Sequence, residues 1–119
     1  MDKTLYIFRH GETFASKGGV GYGDQVFTAS ILDEAIPAIE RMAEYLKDKE
    51  TDYNVSSAIE RCKQTVGIIS RITKKEFVFD KRLNELHMES FRQLRTRVES
   101  FLKDVEDKIK DIKDKIEDE

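Results

Sequence analysis

The chain has 119 residues, enough for one small domain with a single core and too few for two. Apolar residues make up 39% and charged residues 38%, the balance of a foldable globular chain rather than a disordered one. The net charge of −3 resides in Lys103 to Glu119, where five Lys face eight Asp and Glu; the rest is neutral and offers no basic field to nucleic acid.

The longest apolar runs are about four residues, against the roughly 20 needed to span a bilayer, and Met1-Asp2-Lys3 leads directly into a strand-like segment. A soluble, cytoplasmic protein with no membrane partner is expected. Cys62 is the only cysteine, and its spacing to His10 and His87 is not that of a metal-ligand set, so we expect no metal and no cofactor.

In chain order, residues 4–8 are an apolar run of aromatic and β-branched members that stops at Arg9-His10-Gly11, which reads as a buried strand ending at a functional turn. Residues 14–28 carry Gly18, Gly19, Gly21 and Gly23, the composition of an irregular loop that either covers a site or is simply flexible. Apolar residues from Leu32 to Leu46 recur at helical spacing, with Ser30 and Asp33 as candidate caps. Pro37 places the start of the main helix near itself, since proline is tolerated in the first turn but not beyond it.

A second strand is expected at about Tyr53 to Ser56. Ser57-Ala58-Ile59-Glu60 then has the pattern of a capping box opening a helix to about Ile72, and Phe77-Val78-Phe79 reads as a third strand. This alternation predicts an α/β fold with a parallel sheet and right-handed crossovers. Beyond Phe91, the residues Leu94, Val98, Phe101, Val105, Ile109, Ile112 and Ile116 predict one long amphipathic helix. Its charge-dense end is either a solvated face or, through its near-heptad stripe, a surface for a homodimer. We treat residues 1–119 as a single domain.

In open parallel sheets, ligands collect at the carboxyl ends of strands, beside helix N-termini. Arg9 and His10 fall at the end of the first strand, Arg61 in the first turn of the helix after the second, and Glu85 after the third. Two guanidinium groups beside an imidazole suit a phosphoryl group, because their forks hold its oxygens while a neutral ring nitrogen attacks phosphorus. Glu85 is the candidate to protonate the leaving oxygen, or else a surface charge. Thr13 and Ser16 are candidates to bind phosphate oxygens, or solvated loop hydroxyls. A cysteine phosphatase is excluded, because the Arg it needs six positions after Cys62 is Ile68. The glycines at 18–23 lack the Lys-Ser/Thr ending of a nucleotide-binding loop.

At these residues the chain resembles the histidine phosphatase superfamily, also called phosphoglycerate-mutase-like, whose first strand ends in Arg-His-Gly followed by Glu or Gln and Thr or Ser. Gly23-Asp24-Gln25-Val26-Phe27-Thr28 is similar to the family's Gly-x-x-Asp-x-x-Leu-Thr stretch. Ser56-Ser57-Ala58-Ile59-Glu60-Arg61-Cys62-Lys63-Gln64-Thr65 resembles its Ser-Ser-Pro-x-x-Arg-x-x-Gln-Thr helix start. Asp80 to Glu85 resembles its Leu-x-Glu element, and Glu89-Ser90 with Leu94 and Arg97-Val98 a later Gly-Glu-Ser…Arg-Val helix. The resemblance implies a three-layer sandwich with a mainly parallel sheet flanked by helices. It also implies a phosphatase in which His10 becomes a phosphohistidine, Arg9 and Arg61 clamp the phosphate, and Glu85 is the acid. The substrate would be a small phosphorylated molecule or a phosphoprotein.

The chain departs from the family pattern in three ways. Ala58 stands where the family has proline, and the glycine expected after Thr28 is absent. Only three residues separate Glu85 from Glu89, so the insertion that many members place over the site is missing. An open pocket follows, and with it hydrolysis rather than mutase chemistry, which needs an intermediate shielded from water. The family's second catalytic histidine lies on a late strand in an apolar-His-Gly motif that has no counterpart here, and His87 is not set in such a motif. We therefore expect a fold incomplete at the C-terminus, truncated before that strand, with weak or no activity. The rival reading is a non-catalytic anion-binding or helix-mediated assembly module descended from such an enzyme.

Overall fold

The computed structural model describes residues 4–117. These fall into two compact units. One runs Arg9–Glu85, and the other comprises the described parts of Met1–Phe8 and Leu86–Glu119.

The Arg9–Glu85 unit begins with a short helix, α1 (Phe14–Gly18), and continues to α2 (Ile36–Leu46), β1 (Val55–Ser56), α3 (Glu60–Thr73) and β2 (Val78–Phe79). Pro37 occupies the first turn of α2, where its missing N–H is not needed. Ile39, Ala43 and Leu46, three and four residues apart on α2, are buried, as are Val66 and Ile69 on α3. The two helices pack on each other. Full burial of a side chain such as Ile39 or Ile69 stabilises the unit by about 1.5–3 kcal/mol.

β1 and β2 pair in parallel, with Val55 opposite Val78 and Ser56 opposite Phe79. The ladder is short: the Val78 amide donates to the Asn54 carbonyl at 2.9 Å and the Asp80 amide to that of Ser56 at 2.8 Å. With α3 as the connection, this is one β-α-β unit of the expected parallel kind.

Three expectations are corrected. Residues 4–8 form no strand, and Leu5 and Ile7 are 71% and 87% exposed rather than buried. Apolar and β-branched residues favour a pleated surface only when a neighbouring ladder exists to receive them. Residues 14–28 are not irregular throughout, because Thr13 caps α1 in a reciprocal box with Ser16. The Ser57 capping box does not form. α3 starts at Glu60 with Ile59 as its N-cap and no side-chain cap, while the Ser57 hydroxyl donates to the side-chain carbonyl of Asn84 at 2.7 Å, which also receives the Ala58 amide at 3.0 Å. A tertiary partner has outcompeted the local cap.

In the other unit, α4 runs Phe91–Glu117. The Ser90 hydroxyl accepts the Gln93 amide at 3.1 Å and the Gln93 side chain accepts the Ser90 amide at 2.8 Å, a reciprocal bond pair ahead of the first turn. Phe101 is buried, while Leu102 and Ile116 are exposed. No helix among the described residues is long and apolar enough to cross a membrane.

Gly11 links this packing to the candidate site. A Cβ added there would lie 2.6 Å from Cδ1 of the buried Ile39 and 3.3 Å from Cγ2 of Ile31. Gly11→Ala is expected to destabilise the fold by about 1–3 kcal/mol through overpacking, read as a lower urea midpoint at unchanged slope.

Candidate active site

The turn Arg9-His10-Gly11 is held by the first two turns of α3. The Gly11 amide donates to the Thr65 hydroxyl at 2.8 Å, and that hydroxyl donates in turn to the Arg61 carbonyl at 2.8 Å. The Leu32 amide donates to the Glu12 carbonyl at 2.8 Å, and the Ile31 amide to the Gln64 side-chain oxygen at 2.8 Å, which ties the approach to α2 into the same scaffold.

His10 lies half-buried in this turn with Nδ1 2.7 Å from the Gly11 carbonyl oxygen. A carbonyl can only accept, so Nδ1 carries the hydrogen and, in the neutral ring, Nε2 keeps the free lone pair. Burial pushes the imidazole pKa below 6.5, and the positive charges of Arg61 and Arg9 push it the same way, against the Gly11 bond and the Glu85 carboxylate. The ring is thereby kept neutral, the state that a nitrogen nucleophile requires.

Arg61 has no exposed surface. One arm of its guanidinium donates to the Val26 carbonyl, the other pairs with the Glu85 carboxylate, and the guanidinium carbon lies over the Tyr22 ring, 4.0 Å from its centre. Its Nε is buried with no hydrogen-bond partner. Glu85 is half exposed on the outer side of the pair. Two of the candidate groups are thus brought together, each engaging the other.

The remaining candidates are dispersed. Arg9 is exposed. With His10 it opens onto a cleft of about 250 Å³ whose wall includes Glu12, Glu34, Ile39 and Met42, and which neither Arg61 nor Glu85 lines. Thr13 is fully buried; its hydroxyl caps α1 and lies 2.8 Å from the Tyr22 hydroxyl. The Ser16 hydroxyl receives the Thr13 amide at 2.9 Å. His87 belongs to the other compact unit. Cys62 is half-buried on α3, and burial pushes its thiol pKa up. Among the described residues, no group of three or more His, Cys, Asp or Glu is placed to hold a metal ion.

Tyr22, Thr65 and Asn84 shape the site without having been singled out from sequence. Thr65 and Asn84 do stand inside the motif stretches around Arg61 and Glu85. Tyr22 gave only the weak signal of an aromatic residue set between Gly21 and Gly23.

The model of the histidine phosphatase superfamily (branch 1) matches residues 5–96. No curated protein matches the chain, and no solved structure matches it.

Two measurements check this geometry. The His10 ring is expected to titrate below 6.5 by proton NMR, whereas in the unfolded chain it titrates near 6.5. Its contribution to stability is then complete above pH 6.5 and is lost as pH falls towards the lower native value, because the unfolded chain takes up the proton first. Glu85→Ala removes the partner of a buried guanidinium and is expected to cost about 1–3 kcal/mol in urea unfolding.

Proposed function

The chain belongs to the histidine phosphatase superfamily, and from that membership we propose that it is a phosphoric monoester hydrolase working through a phosphohistidine on His10. The observation that carries this reading is the Nδ1–Gly11 carbonyl bond, which aims a neutral ring with its Nε2 lone pair free. In the proposed first step that lone pair attacks phosphorus and the P–O ester bond breaks, while Glu85, which takes up a proton from solvent on leaving Arg61, gives that proton to the departing alcohol oxygen. In the second step water attacks the phosphoimidazole, the P–N bond breaks, and Glu85 takes the proton back from the water as inorganic phosphate leaves.

Arg9 and Arg61 would hold the phosphoryl oxygens. For Arg61 this means exchanging the Glu85 carboxylate for the substrate, which frees Glu85 for its proton transfer. Both ligands are anionic oxygens presented to the same guanidinium arm, so the exchange keeps the charge pairing. Thr13 and Ser16 are proposed as supplementary oxygen ligands once their capping bonds open.

The substrate would be a small phosphorylated molecule or a phosphoprotein, with hydrolysis preferred to mutase chemistry because the site lacks the insertion that would shield an intermediate from water. The same reading extends to the fold. We infer a phosphoglycerate-mutase-like three-layer sandwich, of which β1, α3 and β2 are the parallel β-α-β unit.

The test is phosphoenzyme trapping with labelled 4-nitrophenyl phosphate. Acid-labile, base-stable label on the wild-type chain is expected and should vanish in His10→Ala, with any turnover falling by about 10³-fold or more. Arg9→Ala should reduce labelling by about 10²–10³-fold, as for loss of one oxyanion donor. Label that persists in His10→Ala would sink the proposal.

A further inference from the structure

Arg9 and His10 open onto one cleft, so an ester whose phosphoryl group they hold has the rest of that cleft for its alcohol part. Size limits that part first. At about 250 Å³ the cleft is smaller than the ~300–1,000 Å³ of sites that enclose drug-sized ligands, so beyond the phosphate it takes a stem of few atoms and not a nucleoside.

The walls then limit its chemistry. Ile39 and Met42 of α2 supply an apolar side, and besides Arg9 and His10 the polar side chains are two carboxylates, Glu12 and Glu34. The two are not equivalent. Glu34 is paired with Lys17, so its charge is answered within the protein. The Glu12 carboxylate makes no hydrogen bond or ion pair among the described residues. Its main chain is nonetheless fixed. The Glu12 carbonyl accepts the Leu32 amide at 2.8 Å, the preceding Gly11 amide is bound by Thr65, and the following Thr13 is fully buried.

While the cleft is empty, the guanidinium of Arg9 offsets the Glu12 charge. Once a phosphoryl group engages Arg9, Glu12 is left as an unanswered negative charge on the wall beside the alcohol. An ammonium group there is attracted, whereas a carboxylate or a second phosphate meets like charge.

We propose that the cleft selects phosphate monoesters of short amino alcohols, with Arg9 and His10 at the phosphate and Glu12 at the ammonium group. The proposal rests on Arg9 and His10 being the phosphate site. Because Glu12 is exposed, solvent screens the pair, and the expected preference is about threefold to fivefold, falling as salt is raised. A phosphoserine within a peptide chain carries no ammonium group, so the cleft favours the small phosphorylated molecule over the phosphoprotein.

The experiment compares three stable phosphonates of equal stem length by calorimetry at low salt, with the His10 ring signals in proton NMR reporting where they bind. Aminopropylphosphonate is expected to bind about threefold to fivefold more tightly than butylphosphonate, and phosphonobutyrate more weakly than either. Glu12→Gln removes the charge and keeps the shape. In that variant aminopropylphosphonate should lose its advantage, phosphonobutyrate should gain, and butylphosphonate should bind as before. The same variant separates the wall from any effect of the ammonium group on the phosphonate itself, which the substitution leaves untouched.

Equal affinity of the wild-type chain for aminopropylphosphonate and butylphosphonate overturns the proposal, and so does a ranking that survives unchanged in Glu12→Gln. The phosphate site is judged separately. If neither orthophosphate nor any of the three phosphonates binds and moves the His10 signals, site and selectivity fall together; if all bind there with equal affinity, the selectivity alone falls.

Discussion

A guanidinium group with no exposed surface must have its charge answered from within the protein, and the Arg9–Glu85 unit is organised around doing this for Arg61, with Nε left as its one N–H without a partner. The answer comes from three places along the chain. The Val26 carbonyl and the Tyr22 ring come from the loop before α2, and the Glu85 carboxylate comes after β2. Arg61 thereby ties together segments that no regular element connects. Because the Glu85 end of the pair is half exposed, solvent weakens that part of the attraction, and the network holds less tightly than a fully buried ion pair would.

The first turns of α3 extend this arrangement to His10. Thr65, one turn after Arg61, accepts the Gly11 amide while donating back to the Arg61 carbonyl, so the orientation of the Arg9-His10-Gly11 turn and the seating of Arg61 share one hydroxyl. Gly11 permits the close approach, since any Cβ would collide with Ile39 in the packed face of α2. The chemistry proposed for His10 thus depends on packing between two helices as much as on the imidazole itself. Its neutral state has the same origin, with burial as the largest cause and neighbouring guanidinium charge as the next.

Much of this was legible in the residues. Pro37 marks the start of α2, the spacing of Ile39, Ala43 and Leu46 marks its buried face, and the alternation around α3 marks a parallel crossover. Each depends on local rules acting over a few residues. The grouping of Arg61 with Glu85 was legible through motif order. The engagement of each by the other was not, because an ion pair between residues 24 apart depends on where the chain returns after β2. Ser57 shows the same limit. Its pattern predicts a helix cap, yet Asn84 takes the hydroxyl, and only the fold brings Asn84 within reach.

Residues 4–8 and 14–18 mark the boundary from opposite sides. Leu5 to Phe8 have the composition of a strand, but a strand exists only through hydrogen bonds to a second segment, which composition cannot specify. Thr13 and Ser16 bring order to a stretch that glycine content marks as loop, since two hydroxyl bonds suffice to close a short helical turn. The sequence by itself determined the family, the order α2, β1, α3, β2 and α4, and which side chains have the chemistry to hold and attack a phosphoryl group. Only the tertiary structure decided which of those side chains are open to solvent and which are covered. The burial of Arg61, its ion pair and its cation–π contact with Tyr22 join distant segments, and their energies are set by the packed arrangement rather than by any local pattern.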